Sequence, residues 1–526
     1  MISLKYNPKN LNYIFLLGPE SELSILDSKL NLIPKYMYLP TYTGMKIPTI
    51  FLYKNKPGIR WAYSGLWKTI LDQCPNEIEI QSYIDSDFKY FSETQTLSLS
   101  AFTEEISKWN LNISPRDYQI HAAYLILKYR QGLFQLATRS GKTLIAYLVF
   151  RWLLDHHIVN NCLLVVPSVQ LVLQGVEDFK QYGTFFNTEE IWAGKEYCQG
   201  SNLTIGTFQS IVKRTNKKDK KYNPNWISKF ESICIDEAHH LTSQSVQNIL
   251  KASVSKIHSW GFTGTLPQEG TIESFCCHSL MGPTIKKITT TYLVKDGWIV
   301  PPEIYQIYIN HSEEDIIDFY IKKGKSLLKN SINKELENHL SKTDFAKYLS
   351  KVLNGPQGLA LEQQTAIYGP LHQKCILSLI QKDKNTIIFA HSIKYIQYLK
   401  EYLKKYMSLN IFSIQGSTPI KERNKIIEIM NSPSKGNILI ASFGCISTGI
   451  TFSNIDIGIF AQPFKSRIIS LQSIGRGLLK NKEKKFFIVY DLIDKIPFSN
   501  RLEKHGRERL SSYKEENFSV QKLNFN

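Results

Sequence analysis

The sequence has few cysteines and no long apolar runs, and both absences exclude classes of protein. Its eight cysteines include no C-x-x-C pair, and only Cys276 and Cys277 are close together. Scattered cysteines of this kind are typical of reduced core thiols in the cytosol. No run approaches the roughly 18 apolar residues of a membrane span, and the run at 13–18 is too short for a signal peptide. We therefore expect a cytoplasmic protein that has no membrane partner.

Acidic residues are scarce relative to basic ones. The chain has 46 Asp and Glu against 64 Lys and Arg, which gives a formal net charge of +18. Such an excess points to a polyanionic partner, with nucleic acid first. Between Asp27 and Asp72 there is no acidic residue, although basic and aromatic residues alternate there. The basic ones are Lys29, Lys35, Lys46, Lys54, Lys56, Arg60 and Lys68, and the aromatic ones are Tyr36, Tyr38, Tyr42, Phe51, Tyr53, Trp61, Tyr63 and Trp67.

Two interpretations of this acid-free stretch remain open. Basic side chains follow phosphates and rings stack on bases, so the stretch suits nucleic-acid contact. The alternative is a small β-rich domain whose aromatic residues form its core and whose lysines are only solvated. A second basic cluster is expected on a loop and contains Lys213, Arg214, Lys217, Lys218, Lys220 and Lys221. Such clusters are usually solvated, although a nucleic-acid path would pass nearby.

Two short motifs together indicate hydrolysis of a nucleoside triphosphate. The sequence Ser-Gly-Lys-Thr at 140–143 lies between a buried strand pattern at 131–138 and a helix pattern at 144–154. N–H groups at such a helix start bind phosphate, while Lys142 would neutralise the β- and γ-phosphates and Thr143 would hold Mg²⁺. The sequence Asp-Glu-Ala-His at 236–239 ends another strand pattern, so Asp236 would orient the metal and Glu237 the attacking water.

Either motif alone occurs often by chance, for example as a surface turn before a helix, but their order and separation make a joint coincidence improbable. One departure is visible, because Leu136 stands where the general phosphate-loop pattern has its first glycine. A zinc site at His239 and His240 is not expected, since no partner Cys or His stands at ligand spacing.

From residue 111 onward, short apolar runs alternate with helical patterns, as in parallel α/β sheets. The sequence therefore predicts an α/β fold with two parallel-sheet domains after a small α+β domain. We expect an N-terminal nucleic-acid-binding domain at 1–108, an ATP-binding domain at 109–295, a helical linker or insertion at 296–380, and a second sheet domain with a C-terminal helix at 381–526. The predicted strands are 131–138, 163–167, 203–207, 232–235 and 259–263, then 386–390, 411–414, 438–441, 457–461 and 486–490.

The motifs resemble, in full order, those of superfamily 2 helicases over about residues 112–515. The resemblance implies two RecA-like domains, ATP and Mg²⁺ as cofactors, and catalytic roles for Lys142, Asp236, Glu237, Gln472 and Arg476. It also assigns further residues by their place in the motifs. Nucleotide contacts are implied for Arg116, Gln119, Ser140, Gly141, Thr143 and Gly449, nucleic-acid backbone contacts for Pro167, Ser168, Thr207, Gln209, His391 and Thr448, and coupling of hydrolysis to movement for Thr263 and Thr265.

The last motif departs from the family pattern. In the family its arginines reach the γ-phosphate from the second domain, and a second arginine follows the first by three residues. Here Arg476 is present, but that second place is occupied by Leu479, and Lys480 follows. Either Arg476 acts alone or Lys480 substitutes imperfectly, since an ammonium lacks the fork of a guanidinium.

Within the superfamily the chain resembles phage branch-migration helicases. The resemblance rests on residues 136–143, 441–444, 447–450, 472–476, 490–494 and 504–506. It implies a DEAH-type ATP-driven motor, monomeric and acting on single-stranded and branched DNA in recombination, repair or replication restart, in the host cytoplasm if a phage encodes it. The alternatives are an RNA helicase, the motor of a restriction complex, and a nucleic-acid clamp with a degraded ATPase. The last is motivated by Leu136 and Leu479.

Overall fold

The computed structural model divides the chain into two compact units, Met1–Ile288 and Thr289–Asn526. It describes residues 1–7, 9–30, 53–72, 74, 78–82, 96–193, 195, 200–267, 271–327, 342–356, 358–446, 452–481 and 483–526. Half of the acid-free stretch, residues 31–52 with Lys35 and Lys46, lies outside the described residues. None of the helices in these ranges is both long and apolar enough to cross a bilayer.

The first unit begins with a small sheet in the order β3-β4-β2-β1-β5. All neighbours are antiparallel except β1 and β5, which are parallel. Alternating burial along β1, β2 and β4 leaves one face of the sheet for its core. The elements are β1 (Ile2–Tyr6), β2 (Tyr13–Leu17), α1 (Glu20–Leu30), β3 (Tyr53–Lys56), β4 (Ile59–Tyr63), α2 (Trp67–Asp72), β5 (Ile80–Ser82) and, after the sheet, α3 (Leu99–Ser107).

Arg60 of β4 is a buried structural cation. Only 1% of it is exposed, and its guanidinium contacts Glu20 Oε1 and Asp27 Oδ2, each at 2.8 Å. Hydrogen bonding with Glu20, opposed by burial and supported by Asp27, raises the pKa of Arg60. The sequence interpretation counted Arg60 among the candidate phosphate contacts, and that was wrong, because the carboxylates of α1 already neutralise it.

The rest of the first unit is a parallel seven-stranded sheet in the order β12-β6-β11-β10-β7-β9-β8. The five strands that the apolar runs predicted are all present, and β8 and β12 extend the sheet at its two edges. The strands are β6 (Gln131–Leu136), β7 (Cys162–Val166), β8 (Thr188–Ile191), β9 (Leu203–Thr207), β10 (Ser232–Asp236), β11 (His258–Thr263) and β12 (Thr284–Ile288). The helices are α4 (Asp117–Lys128), α5 (Lys142–Asp155), α6 (Val169–Tyr182), α7 (Phe208–Thr215), α8 (Pro224–Ser228), α9 (Gln244–Ala252) and α10 (Ile272–Met281).

The small sheet docks on the amino ends of β6 and β11. Ser64 Oγ is 3.0 Å from Gln131 Nε2 at the start of β6, and the Arg130 guanidinium lies 3.8 Å from the ring centroid of Tyr6. The turn at 64–66 approaches α10 so closely that a Cβ on Gly65 would lie 2.3 Å from the carbonyl oxygen of His278. No side chain fits there, so glycine is required by packing. This part of the acid-free stretch therefore has a structural role.

The second unit contains another parallel seven-stranded sheet, in the order β15-β16-β14-β17-β18-β13-β19. The five predicted strands form it together with β13 and β19. The strands are β13 (Pro302–Asn310), β14 (Thr386–Ala390), β15 (Asn410–Ile414), β16 (Asn437–Ser442), β17 (Ile457–Phe460), β18 (Phe487–Lys495) and β19 (Ser519–Phe525). The helices are α11 (Thr290–Lys295), α12 (Glu313–Leu327), α13 (Lys342–Asn354), α14 (Gly358–Tyr368), α15 (Pro370–Leu379), α16 (Ile393–Tyr406), α17 (Ile420–Asn431), α18 (Phe443–Ile446), α19 (Arg467–Arg476) and α20 (Arg501–Glu515).

The segment 296–380, expected to be a linker or insertion, supplies parts of this second fold. Its strand β13 lies between β18 and β19, and Cys375 and Ile376 of α15 are buried in the core of the sheet. The chain divides at 288/289 rather than at the expected 295/296 and 380/381. The two sheets and the small N-terminal sheet confirm the predicted α/β fold class.

Buried charges connect β18 to the elements around it. Asp494 accepts from His311 Nε2 at 2.8 Å and contacts His372 Nδ1 at 3.0 Å, while His372 Nε2 is 2.9 Å from the carbonyl oxygen of Ala461. Both partners of His372 can only accept, so its ring carries both protons. Although burial opposes the charged form, Asp494 raises the pKa of His372. His372 in turn keeps the pKa of Asp494 low against the effect of burial.

Burial of Lys256, where the small sheet docks, lowers the free energy of unfolding by an amount that depends on pH. Its ammonium meets Asn12 Oδ1 and lies 3.4 Å from the carbonyl oxygen of Leu250. Burial, with the nearby charge of Arg130, lowers the pKa of Lys256 from 10.5 to about 7. Between those values the unfolded chain binds more protons at this residue than the folded chain, so its contribution to stability rises with pH.

We expect Lys256→Met to remove this increase of stability with pH. The stability of the wild type minus that of Lys256→Met should increase from about pH 7 to about pH 10 and stay flat below that window. Urea unfolding of both proteins across this range measures the difference, and Lys180→Met on the exposed side of α6 is the control. A difference that stays constant with pH would mean that Lys256 is charged in the folded protein.

Candidate functional site

The phosphate-loop motif occupies the turn from β6 to α5. Gly141 is the residue before the helix and has φ of 76°, and a Cβ there would lie 2.1 Å from Gln119 Nε2. Both the left-handed backbone and the close side chain require glycine. Leu136 is the last residue of β6 and is fully buried, so it belongs to the sheet and not to the loop. Its presence in place of glycine therefore leaves the geometry of residues 137–141 intact.

Arg116 and Gln119, which were expected to contact the nucleotide, are fixed to the same loop. Gln119 Oε1 accepts from the backbone N–H of Arg116, and Gln119 Nε2 donates to the carbonyl oxygen of Ser140, both at 2.9 Å. Tyr118 Oη donates to the same carbonyl at 2.9 Å and accepts from Arg116 at 2.8 Å. The structure thus brings Arg116, Gln119 and Ser140 together. Tyr118, which sequence reasoning missed, completes the set and stands inside the same motif.

Lys142 faces the two acidic residues that follow β10. Its Nζ is 3.3 Å from Glu237 Oε1 and 3.7 Å from Asp236 Oδ1. Burial raises the pKa of Asp236, and the charge of Lys142 opposes that change. Glu237 has φ of 53°, which turns the chain sharply at the carboxyl end of β10. One cation and two carboxylates thus converge beside the start of α5, where N–H groups favour anions.

The chemistry of this group fits a divalent cation. Asp236 Oδ1 is buried and accepts no hydrogen bond from any residue that the structure describes. A carboxylate oxygen of this kind, with the Thr143 hydroxyl one residue beyond Lys142, matches the oxygen ligands that Mg²⁺ prefers. Asp178 of α6 also reaches Thr143, and burial raises its pKa to about 6 against that hydrogen bond. Nothing in the sequence around Asp178 indicates this contact, because α6 follows β7 whereas Thr143 follows β6.

His239 connects the acidic pair to the motif expected to couple hydrolysis with movement. Its Nδ1 is 3.3 Å from Glu237 Oε2 and 3.2 Å from Thr263 Oγ1. Thr263 Oγ1 in turn donates to the carbonyl oxygen of Thr265 at 2.8 Å. Because β10 and β11 are parallel neighbours, their carboxyl ends carry these residues side by side. A change at Glu237 can therefore reach Thr265 through hydrogen bonds.

The expected nucleic-acid residues of the first unit lie together at the carboxyl ends of β7 and β9. Val166 pairs with Thr207 across these strands, so the residues that follow are neighbours. Ser168 Oγ and Thr207 Oγ1 cap α6 and α7, each accepting a backbone N–H at 3.4 Å. Gln209 Nε2 is 3.4 Å from the carbonyl oxygen of Pro167. Two helix starts side by side are suited to bind the phosphates of a strand.

In the second unit, His391 is held at the end of β14. The backbone N–H groups of His391 and Ser392 donate to Gln462 Oε1 at 2.7 and 2.9 Å. The imidazole lies 4.5 Å from the Phe443 ring, and burial lowers the pKa of His391. The ring is therefore neutral near neutral pH and able to donate one hydrogen bond. Thr448 and Gly449 lie outside the described residues.

Gln472 and Arg476 are buried on α19. Beyond it, Leu479 forms a strand-like bridge with Ile299, and Lys480 Nζ is 3.3 Å from the carbonyl oxygen of Gly297. Lys480, the possible substitute for the missing arginine, is thus bonded to its own unit. Sequence reasoning missed Lys484, which is buried and donates to the carbonyl oxygens of Gly477 and Ile455. It fixes the chain just after Arg476.

The chain is similar to known proteins. Residues 112–268 match the family model described as the res subunit of type III restriction enzymes, and 371–478 match the helicase conserved C-terminal domain. The ATP-dependent DNA helicase uvsW of Enterobacteria phage T4 is 27% identical over 480 residues, 86% of either chain. The DNA 3'-5' translocase XPB2 of Sulfurisphaera tokodaii is 22% identical over 408 residues, covering 75% of this chain and 85% of that protein.

A solved structure agrees with the fold. The DNA-bound type ISP restriction-modification enzyme LlaBIII has a TM-score of 0.54 at 14% identity, over 79% of this chain and 31% of the enzyme. At that identity the likeness shows the fold alone. The matched family models and the similarity to uvsW show that the chain belongs to the superfamily 2 helicases, which are ATP-driven enzymes. It resembles phage T4 UvsW.

Proposed function

We propose that this helicase moves on single-stranded DNA and remodels branched DNA, by unwinding, annealing and branch migration, in recombination, repair or replication restart. The observation that carries the motor is the convergence of Lys142, Asp236 and Glu237 at the start of α5. The preference for branched DNA is supported by the similarity to a phage DNA helicase over most of both chains. We further propose that the protein acts as a monomer.

The proposed roles follow from the geometry of the first unit. Lys142 binds the β- and γ-phosphates of ATP, and Glu237 accepts the proton of the attacking water. Mg²⁺, held by Thr143 and Asp236, would neutralise phosphate charge when bound. His239 contacts both Glu237 and Thr263, so a change in the position or charge of Glu237 alters the hydrogen bond to Thr263. The nucleic-acid backbone binds at the starts of α6 and α7.

Other roles rest on the family resemblance. Arg476 supplies a cation to the charge that develops on the γ-phosphoryl, and Gln472 assists it. Gly449 contributes to nucleotide binding, and Thr448 joins His391 in contact with the strand. We retain the proposal that the acid-free stretch 28–71 favours branched or duplex DNA, without Arg60 and without the docking turn at 64–66.

We expect Lys142→Ala and Glu237→Gln to fail at different steps. Lys142→Ala loses the counter-charge for phosphate, so it should neither bind nor hydrolyse ATP well while keeping DNA affinity. Glu237→Gln cannot accept a proton, so it should bind ATP but hydrolyse it on the order of 10² to 10⁴ times more slowly. Phosphate release and nucleotide binding measure both, with Glu177→Gln, an exposed carboxylate on α6, as the control. Normal turnover in Glu237→Gln would remove it as the base.

We expect Arg476→Ala to lower turnover on the order of 10³-fold, and Lys480→Ala to change it little, because Lys480 bonds to Gly297. Steady-state ATPase with saturating DNA measures both. Equal losses in the two variants would show that Lys480 supplies part of the charge. A nearly inactive wild type that Leu479→Arg revives would instead support a clamp with a degraded ATPase.

The substrate is tested by ATPase and unwinding assays across single-stranded, duplex, forked and four-way DNA and single-stranded RNA. We expect DNA to stimulate turnover and forks or junctions to be unwound best. Stimulation by RNA alone would overturn the DNA assignment in favour of an RNA helicase. In the same assays, replacing Lys29, Lys35 and Lys46 by Ala should weaken action on forks while single-strand stimulation persists. Unchanged fork activity would leave the acid-free stretch a structural role only.

A further inference from the structure

A cluster of exposed lysines lies on the loop between α7 and α8. We call residues 216–223 the lysine loop. Lys213, Lys217, Lys218, Lys220 and Lys221 are all exposed, and Asp219 is the only acidic residue between Lys213 and Asn223. Among the described residues, none of these five lysines forms an ion pair, and the carboxylate of Asp219 accepts the backbone N–H of Lys221 at 2.9 Å. The surface is thus strongly positive, with one carboxylate among five lysines.

The basic cluster was expected on a loop, and residues 216–223 do form one, with turns held by internal hydrogen bonds. Lys213 and Arg214 belong to the last turn of α7, and Arg214 is buried with its guanidinium 4.8 Å from the Trp226 ring. Asn216 Oδ1 accepts the N–H of Lys218 at 3.1 Å, and the N–H of Asn223 donates to the carbonyl oxygen of Arg214 at 2.9 Å. Because Trp226 belongs to the apolar core, both ends of the loop are anchored.

An anchored loop that presents four lysines, next to Lys213 on α7, is preorganised for a polyanion. Its backbone loses little freedom on binding, and the repulsion between its lysines is relieved by phosphates. The side-chain oxygens of both asparagines accept backbone N–H groups of the turn and of α8, since Asn223 Oδ1 caps the N–H of Trp226 at 3.0 Å. The acceptor oxygens of both asparagines are thus occupied, and the loop presents mainly lysine charge, which suits sequence-independent contact with phosphates.

The position of the loop favours duplex over single-stranded DNA. Helix α7 starts at Thr207, where the strand is proposed to bind, and its eight residues carry the chain about 12 Å away. In B-form DNA that distance corresponds to roughly three to four base pairs along one strand. A duplex also carries a charge every ~1.7 Å of its axis, a density that a compact lysine cluster matches.

We propose that the lysine loop binds the phosphate backbone of duplex DNA next to the strand held at the starts of α6 and α7. The inference rests on the proposed function, because it needs that strand to define where the duplex begins. The loop would hold the arm of a fork or junction while the motor acts on the strand.

The test replaces Lys217, Lys218 and Lys220 by Ala in the full chain. The affinity for a blunt duplex is measured against salt concentration. Each lost phosphate contact makes the logarithmic salt slope shallower by about 0.9, so the triple variant should lose up to about 2.7. Affinity for single-stranded DNA and the ATPase that it stimulates should stay unchanged. A triple Lys→Arg variant at the same positions should keep the duplex slope.

The matched control replaces exposed lysines of the second unit, Lys382, Lys405 and Lys425, by Ala, so that net charge falls equally. A duplex slope in the lysine-loop variant equal to that of the wild type or the control would overturn the proposal. Equal losses on single-stranded and duplex DNA, or a loss on duplex RNA alone, would overturn the assignment to duplex DNA. If no nucleic acid stimulates wild-type ATPase, the proposed function itself fails, whatever the slopes show.

Discussion

Parallel pairing of β6, β11, β10, β7 and β9 is the constraint on which the site of the first unit depends. Each strand runs the same way, so the residues that follow all of them lie along one edge. Lys142, Glu237 and Thr263 are far apart in sequence and are linked there by contacts shorter than 3.5 Å. The strands themselves are almost wholly buried, and the site residues stand at or just beyond their carboxyl ends. A shift of one residue in the register of β10 would separate Lys142 from its carboxylates.

The two ends of this sheet differ in how their charged residues are surrounded. The carboxyl edge combines a cation, two carboxylates and helix starts, whose N–H groups favour anions. The amino edge buries Arg130 and Lys256 under the small sheet, where carbonyl oxygens and the Tyr6 ring contact the Arg130 guanidinium and burial lowers the pKa of Lys256. The first arrangement remains open to ligands, whereas the second is closed by packing. Basic residues thus lie partly exposed at one end of the sheet and fully packed at the other.

The sequence predicted what apolar runs and local motifs encode. Ten strands, the phosphate loop and the acidic pair follow from patterns of a few residues. Edge strands such as β8 and β19 escaped because their exposure permits polar residues, and β13 escaped because helical segments separate it from the rest of its sheet. The contacts of Asp178 and Lys484 and the burial of Arg60 depend on distant parts of the chain, which local patterns do not reveal. The roles assigned by resemblance to Arg476, Thr448 and Gly449 stay predictions.

The docking of the small sheet also constrains how the chain folds during synthesis. Asn12 meets Lys256, a separation of 244 residues, so the N-terminal sheet must wait for most of the first unit to emerge. At translation rates of about 5 to 20 residues per second, that delay is on the order of ten to fifty seconds. Throughout it, the surface around Tyr6 and Gly65 is exposed without its partner. The N-terminal sheet is therefore the first part to be made and among the last to reach its final contacts, which makes it a natural client for chaperones on the ribosome.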